Sequence, residues 1–117
     1  MSVTIYHNPK CSKSRQTLEL LREHSITPVI IEYLKSPPSA KKLKEILAQL
    51  GYSPCDLMRK KEAEYTEYGL DNPSLSDDEL IGFMIKNPIL IERPIVLANG
   101  KAALGRPPEQ VLEILVP

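Results

Sequence analysis

The sequence predicts an α/β fold: a mixed four-stranded sheet built in the order βαβ, a helical middle, then ββα. Three observations carry this. Two β-prone runs, residues 3–6 and 29–33, stand about twenty-five residues apart with a helical pattern between them, the spacing of a βαβ unit with a parallel pair. Residues 39–87 show helical periodicity with recognisable caps. Asn99-Gly100 then separates two short apolar runs, the strongest short-range hairpin signal, and a last apolar stripe follows it.

Each element has its own justification. Val3-Thr4-Ile5-Tyr6 alternates and is β-prone, and His7-Asn8-Pro9 is a turn signal that ends it. From Ser14 the chain runs through Leu18 and Leu21 at helical spacing toward His24, which leaves Cys11 at the strand-to-helix junction. Val29-Ile30-Ile31-Glu32-Tyr33 reads as a second strand, largely buried and central. After Pro37-Pro38, Ser39 is a good N-cap, and Leu43, Ile46, Leu47 and Leu50 form a stripe that stops at Gly51. Residues 54–75 read as short helical pieces and loops. Ser76-Asp77-Asp78-Glu79 has capping-box form, with Leu80, Phe83 and Met84 as the buried face and Pro88 as the stop. Ile95–Ala98 and Lys101–Leu104 form the hairpin, and Pro107-Pro108 opens a final helix with Val111, Leu112 and Leu115 on one face.

Composition bounds the function. At 117 residues the expectation is a single domain, 1–117, with a helical insertion at about 39–87. Fifteen Lys+Arg balance fifteen Asp+Glu, so the basic excess that drives general nucleic-acid or anionic-membrane binding is missing. No apolar run approaches the roughly 20 residues that span a bilayer. The first residues carry no secretory signal, and a cytoplasmic location is expected. Two cysteines, Cys11 and Cys55, are too few for a disulfide scaffold, and with His7 and His24 they offer no zinc-like spacing, so no metal is expected. The neutral total hides a pattern: residues 1–15 carry Lys10, Lys13 and Arg15 and no acid, whereas residues 62–85 carry seven acids and no base.

A thiol is a nucleophile only as thiolate, and its free value of about 8.5 falls beside a helix N-terminus or cations. Lowering it by about two units needs about 2.7 kcal/mol, whereas a helix terminus supplies only about 0.3–1 kcal/mol. Further positive or hydrogen-bonding groups must therefore gather at Cys11. Lys10, Lys13, Ser14 and Arg15 are at hand, with arginines elsewhere as further candidates. Free N–H groups at the same turn favour an anion above the sulfur. Ser14 stands where a dithiol oxidoreductase would carry its resolving cysteine, so that disulfide cannot close. Cys55, after Pro54, reads as a structural thiol, and an external thiol is the better resolving partner.

The run His7-Asn8-Pro9-Lys10-Cys11-Ser12-Lys13-Ser14-Arg15 resembles the active-site loop of the glutaredoxin-linked arsenate reductases, the ArsC family. Three further patches are similar to it in the same order: Leu57-Met58-Arg59-Lys60, Asn87 to Ile95, and Gly105-Arg106-Pro107. The resemblance covers essentially the whole chain and implies a thioredoxin-like fold. It implies that Cys11 is the nucleophile on arsenate, that Arg59, Arg93 and Arg106 surround the oxyanion, that Ser14 and Arg15 complete the anion loop, and that His7 favours the thiolate. It also implies a cis Arg93–Pro94 peptide bond. Planar guanidinium forks suit a tetrahedral oxyanion better than the point charges of lysines do.

The activity so implied is reduction of arsenate to arsenite through a Cys11 adduct, with glutathione as cosubstrate, glutaredoxin as partner, no bound cofactor, and a monomeric protein. Two other readings stand beside it. A glutathione-dependent thiol reductase on the same fold would act on disulfides, which the three arginines argue against. A regulator of the Spx kind, binding RNA polymerase, would typically carry a Cys-x-x-Cys switch, which Ser14 breaks.

Overall fold

Four strands form one sheet in the order β2-β1-β3-β4 in the computed structural model, which describes residues 2–115. Strand β1 (Val3–Tyr6) leads through helix α1 (Ser12–Glu23) to β2 (Val29–Ile31), which pairs with β1 in parallel, Ile5 opposite Ile30. On the other side of β1 lies β3 (Ile95–Ala98), antiparallel, and beyond it β4 (Lys101–Leu104), also antiparallel. The hairpin between β3 and β4 turns on Asn99 and Gly100, both at positive φ (54° and 71°), as a two-residue turn that matches strand twist requires.

These strands belong to one of two compact units, formed by the chain up to Ser36 together with residues from Arg93 on. Its core lies where the register puts Val3 opposite Ala98 and Ile5 opposite Val96 on one sheet face. Leu18 and Leu21 of α1 and Val111 and Ile114 of the C-terminal segment cover that face.

Two sequence expectations are corrected in this unit. Strand β2 is neither central nor buried: it pairs only with β1, ends at Ile31, and leaves Val29 56% and Ile30 43% exposed. An unbroken apolar run signals a strand but not its rank in the sheet, and here β1 and β3 hold the middle. A turn starts at Glu32, whose carbonyl accepts from the N–H groups of Lys35 and Ser36. The last helix is a 3₁₀ helix, Pro108–Ile114. Its period of three turns Pro108, Val111 and Ile114 inward, so Leu112 and Leu115 are only partly buried.

The second unit, Pro37–Glu92, is helical. Helix α2 (Ala40–Leu50) starts where the Ser39 side chain accepts the Lys42 N–H and ends on Gly51 in the left-handed conformation. A 3₁₀ turn (Pro54–Leu57) and the short α3 (Ala63–Glu67) follow. Helix α4 (Asp77–Lys86) starts with the expected reciprocal capping box of Ser76 and Glu79. It packs on α2, with Leu43, Ile46 and Leu47 buried on one helix and Leu80, Ile81 and Met84 on the other. Ile81 thus takes the inward place expected of Phe83, which is half-buried and faces the Tyr68 ring with centroids 5.3 Å apart. Among the described residues no helix is long and apolar enough to cross a membrane.

Candidate active site

Cys11 is the N-cap of α1. Its backbone is extended (φ −95°, ψ 124°), and its carbonyl accepts the first intrahelical hydrogen bond, from the Arg15 N–H at 3.0 Å. Leading into it, the Cys11 N–H donates to the Asn8 carbonyl (3.0 Å) and the Lys10 N–H to Asn8 Oδ1 (3.0 Å), so the approach from the strand is a closed turn. The sulfur closes no capping hydrogen bond of its own. It nonetheless lies where the N–H groups of Ser14 and Lys13 favour its charged form. The first turn of α1 contains no acid to oppose that charge.

Two arginines reach the same sulfur from the far end of the chain. Arg106 Nη1 lies 3.9 Å from Cys11 Sγ, long for a hydrogen bond but close for a charge, and donates to the Arg93 carbonyl at 3.1 Å. Arg93 itself acts on the sulfur through its charge. Each precedes a cis proline: Arg93–Pro94, as the resemblance implied, and Arg106–Pro107 as well. Gly105 ties the two segments together. Its N–H donates to the Pro94 carbonyl (3.0 Å), and its Cα packs so closely that an added Cβ would overlap Thr17 Oγ1 and lie 2.7 Å from Pro94 Cγ. Thr17, fully buried on α1, donates to the Lys13 carbonyl at 2.8 Å. The cysteine helix, the Pro94 turn and the Arg106 turn therefore meet at one side-chain-free contact.

The effects on the thiol compete. Burial is the largest and pushes it up, since Cys11 is only 8% exposed. Against it work the Ser14 N–H, the Arg93 charge, the Lys13 N–H and the Arg106 guanidinium, and together they bring the thiol below its ordinary value. Beyond the N–H groups of the helix terminus, the two arginines are the further positive groups that favour the thiolate. Lys10 and the side chains of Lys13 and Arg15 are not among the groups that lower it.

His7 and Ser14 are both buried, and His7 Nδ1 lies 2.6 Å from Ser14 Oγ. That hydroxyl accepts the Asn8 N–H at 3.0 Å, so its own proton is available to a neutral imidazole. Burial, above all, lowers the pKa of His7; Glu32 works against this and Arg22 and Arg15 with it. A neutral ring does not stabilise a thiolate as a point charge. His7 instead meets the side chain of Ser14, whose N–H faces the sulfur.

The remaining candidates are placed as follows. Arg15 spends Nη1 on the Pro9 carbonyl at 2.9 Å, bracing the outside of the same turn. Arg59 belongs to the helical unit, where its N–H donates to the Leu90 carbonyl (2.7 Å) and its guanidinium pairs with Glu62 at 2.7 Å. Cys55 is a free thiol in the 3₁₀ turn of that unit. Among the described residues, no three His, Cys, Asp or Glu gather as metal ligands would. Thr17 and the tight contact at Gly105 escaped sequence reasoning. A threonine on the apolar face of a helix was the only signal of the first, and Gly beside Arg-Pro of the second.

The profile of the ArsC family matches residues 6–114. YfgD, an uncharacterized protein of Escherichia coli K12, is 54% identical over 114 residues, which are 97% of this chain and 96% of that protein. An arsenate reductase of Neisseria meningitidis serogroup A is 48% identical over 114 residues, 97% of each chain. The solved structure of an arsenate reductase from Vibrio cholerae superposes with a TM-score of 0.96 at 56% identity, covering 98% of both chains.

Proposed function

The chain belongs to the ArsC family and has its thioredoxin-like fold, and on that premise we propose that it is an arsenate reductase that draws its electrons from glutathione and glutaredoxin. The observation that carries the reading is the convergence of Arg93, Arg106 and the Ser14 and Lys13 N–H groups on the Cys11 sulfur. A disulfide bond itself presents no charge at the reacting sulfur for two guanidinium groups to meet, whereas arsenate at neutral pH is an anion whose oxygens match such forks. The relatives named arsenate reductase, similar over nearly the whole chain, support the same reading.

In this mechanism the Cys11 thiolate attacks arsenic, an arsenate oxygen takes up protons and leaves as water, and a sulfur–arsenic bond forms. Arg93 and Arg106 offset the charge on the remaining oxygens as it is redistributed. The place of Arg59 as a third arginine, and of Ser14 and Arg15 in the anion loop, rests on the family resemblance. A glutathione thiolate then attacks the Cys11 sulfur. The sulfur–sulfur bond forms as the sulfur–arsenic bond breaks, the electron pair departs on arsenic, and As(V) becomes As(III). Glutaredoxin reduces the mixed disulfide and returns Cys11 as thiolate.

The test is arsenite formation by the purified protein with glutathione and glutaredoxin. Turnover is expected in the wild type and in Cys55→Ser and is expected to vanish in Cys11→Ser. A wild type that yields no arsenite overturns the proposal, as does a Cys11→Ser variant that still does.

A further inference from the structure

We propose that the cleft beside the cysteine loop, at the ends of β1 and β2, seats the thiol cosubstrate, a small peptide thiol with two carboxylates and one ammonium, of which glutathione is the type. The inference rests on the reductase reading and adds to it where the second substrate sits. The cleft holds about 290 Å³, with residues His7 to Lys10 as one wall and Glu32, Leu34 and Lys35 as the other. That volume is near the lower end of small-molecule sites. It matches a ligand about the size of a tripeptide.

Its position follows from the sheet. Parallel strands β1 and β2 both end here, and chains that diverge past the carboxyl ends of parallel strands leave a crevice in which ligands bind. The floor is firm, because the His7 N–H donates to the Ile31 carbonyl at 2.8 Å and so extends the pairing of the two strands to the edge of the cleft. The Lys10 wall is the closed turn that runs directly into Cys11.

The lining fits the class. Pro9 and Leu34 supply apolar surface, and Leu34 is 42% exposed, without a full cover of its own. Lys10 and Lys35 are two cations for two carboxylates, and Glu32 is one anion for one ammonium. Glu32 and Lys35 pair at 3.8 Å, with 45% and 79% of their side chains exposed. Such an exposed, loose pair is weak and gives way readily to ligand charges. A simple alkyl thiol would find no partners for these groups, so the cleft selects a charged peptide thiol over a neutral one.

The chemistry asked of the ligand is modest. Held beside the loop, its thiol loses a proton to solvent, its sulfur attacks the Cys11 sulfur of the arsenate adduct, and arsenic leaves with the electron pair of the broken bond. Two thiols are oxidised to one disulfide as As(V) becomes As(III), so no further reductant enters this step.

The test separates the cleft from the activity. S-methylglutathione, which cannot react, is titrated into the folded protein while backbone amide resonances are followed. Saturable shifts are expected in residues 7–10 and 32–35, and Lys10→Glu with Lys35→Glu is expected to weaken binding by about tenfold. The single Lys35→Ala variant, at an exposed position, serves as a second measurement and is expected to weaken it severalfold. Shifts confined to other residues, no saturable shifts, or charge reversal without effect on affinity would overturn the proposal. Arsenate turnover with an unchanged glutathione KM in the Lys10→Glu/Lys35→Glu protein overturns the cleft alone. Specific binding in a protein that forms no arsenite upholds the cleft and overturns the reductase reading.

Discussion

Gly105→Ala probes the junction that brings Arg106 to the sulfur. The added methyl would overlap Thr17 Oγ1, lie 2.7 Å from Pro94 Cγ and 3.0 Å from Thr17 Cγ2. Overpacking of this kind costs about 1–3 kcal/mol. Replacing glycine where the backbone suits any residue returns about 0.4–1 kcal/mol through the unfolded chain. The net expectation is a loss of about 1–2 kcal/mol, because the clash exceeds the entropic gain. Urea unfolding measures it, as a lower midpoint at unchanged slope. The same variant is expected to raise the Cys11 thiol pKa, since Arg106 is the next residue and must move when Gly105 is pushed off Pro94. Adding Thr17→Ala removes two of the three contacts, so the two changes should be clearly non-additive. A Gly105→Ala protein with wild-type stability and thiol titration, or strict additivity with Thr17→Ala, would refute the argument that this close approach sets Arg106.

Other predictions follow from the same geometry. Arg106→Ala and Arg93→Ala are each expected to raise the Cys11 thiol pKa, read from the pH dependence of its alkylation rate, and to raise the KM for arsenate. Ser14→Ala leaves a buried His7 nitrogen and the Asn8 N–H without their partner, and is expected to cost about 1–3 kcal/mol in urea unfolding. The folded pKa of His7 is depressed, so as pH falls the unfolded chain takes up the proton first. The stability this residue contributes is therefore complete above its unfolded value of about 6.5 and is lost as pH falls through the folded value. His7→Asn should flatten that part of the stability profile. Phosphate, of similar shape and charge, is expected to compete with arsenate for the site without being turned over, since selectivity lies in the attack on arsenic; steady-state inhibition kinetics check it.

The legible parts of the fold were those in which local chemistry decides. Ser39, Gly51 and the Ser76–Glu79 box satisfy orphan backbone groups with nearby side chains or backbone, and Asn99-Gly100 supplies the positive φ that its turn needs. The edge position of strand β2 is not legible locally, because its apolar run is equally compatible with an edge and a centre, and strands about sixty residues further on make that choice. The period of the C-terminal segment is ambiguous in sequence, because Pro108, Val111, Leu112, Ile114 and Leu115 satisfy both a three- and a four-residue repeat. At the site, Cys11 at a strand-to-helix turn and the need for extra positive groups followed from energetics. Which groups answered that need did not: the neighbouring lysines and Arg15 were nearer in sequence, but Arg93 and Arg106 come to the sulfur through the β3–β4 hairpin and the Gly105 contact.

Two arginines and two amide groups outweigh burial at Cys11 and hold its thiol below the ordinary value. Titration of the Cys11 thiol in the Cys55→Ser protein, followed by thiolate absorbance and by alkylation rate, measures this directly. The expected pKa lies below the free value of about 8.5 and moves up when Arg106 is removed. A value at or above that of free cysteine would contradict it.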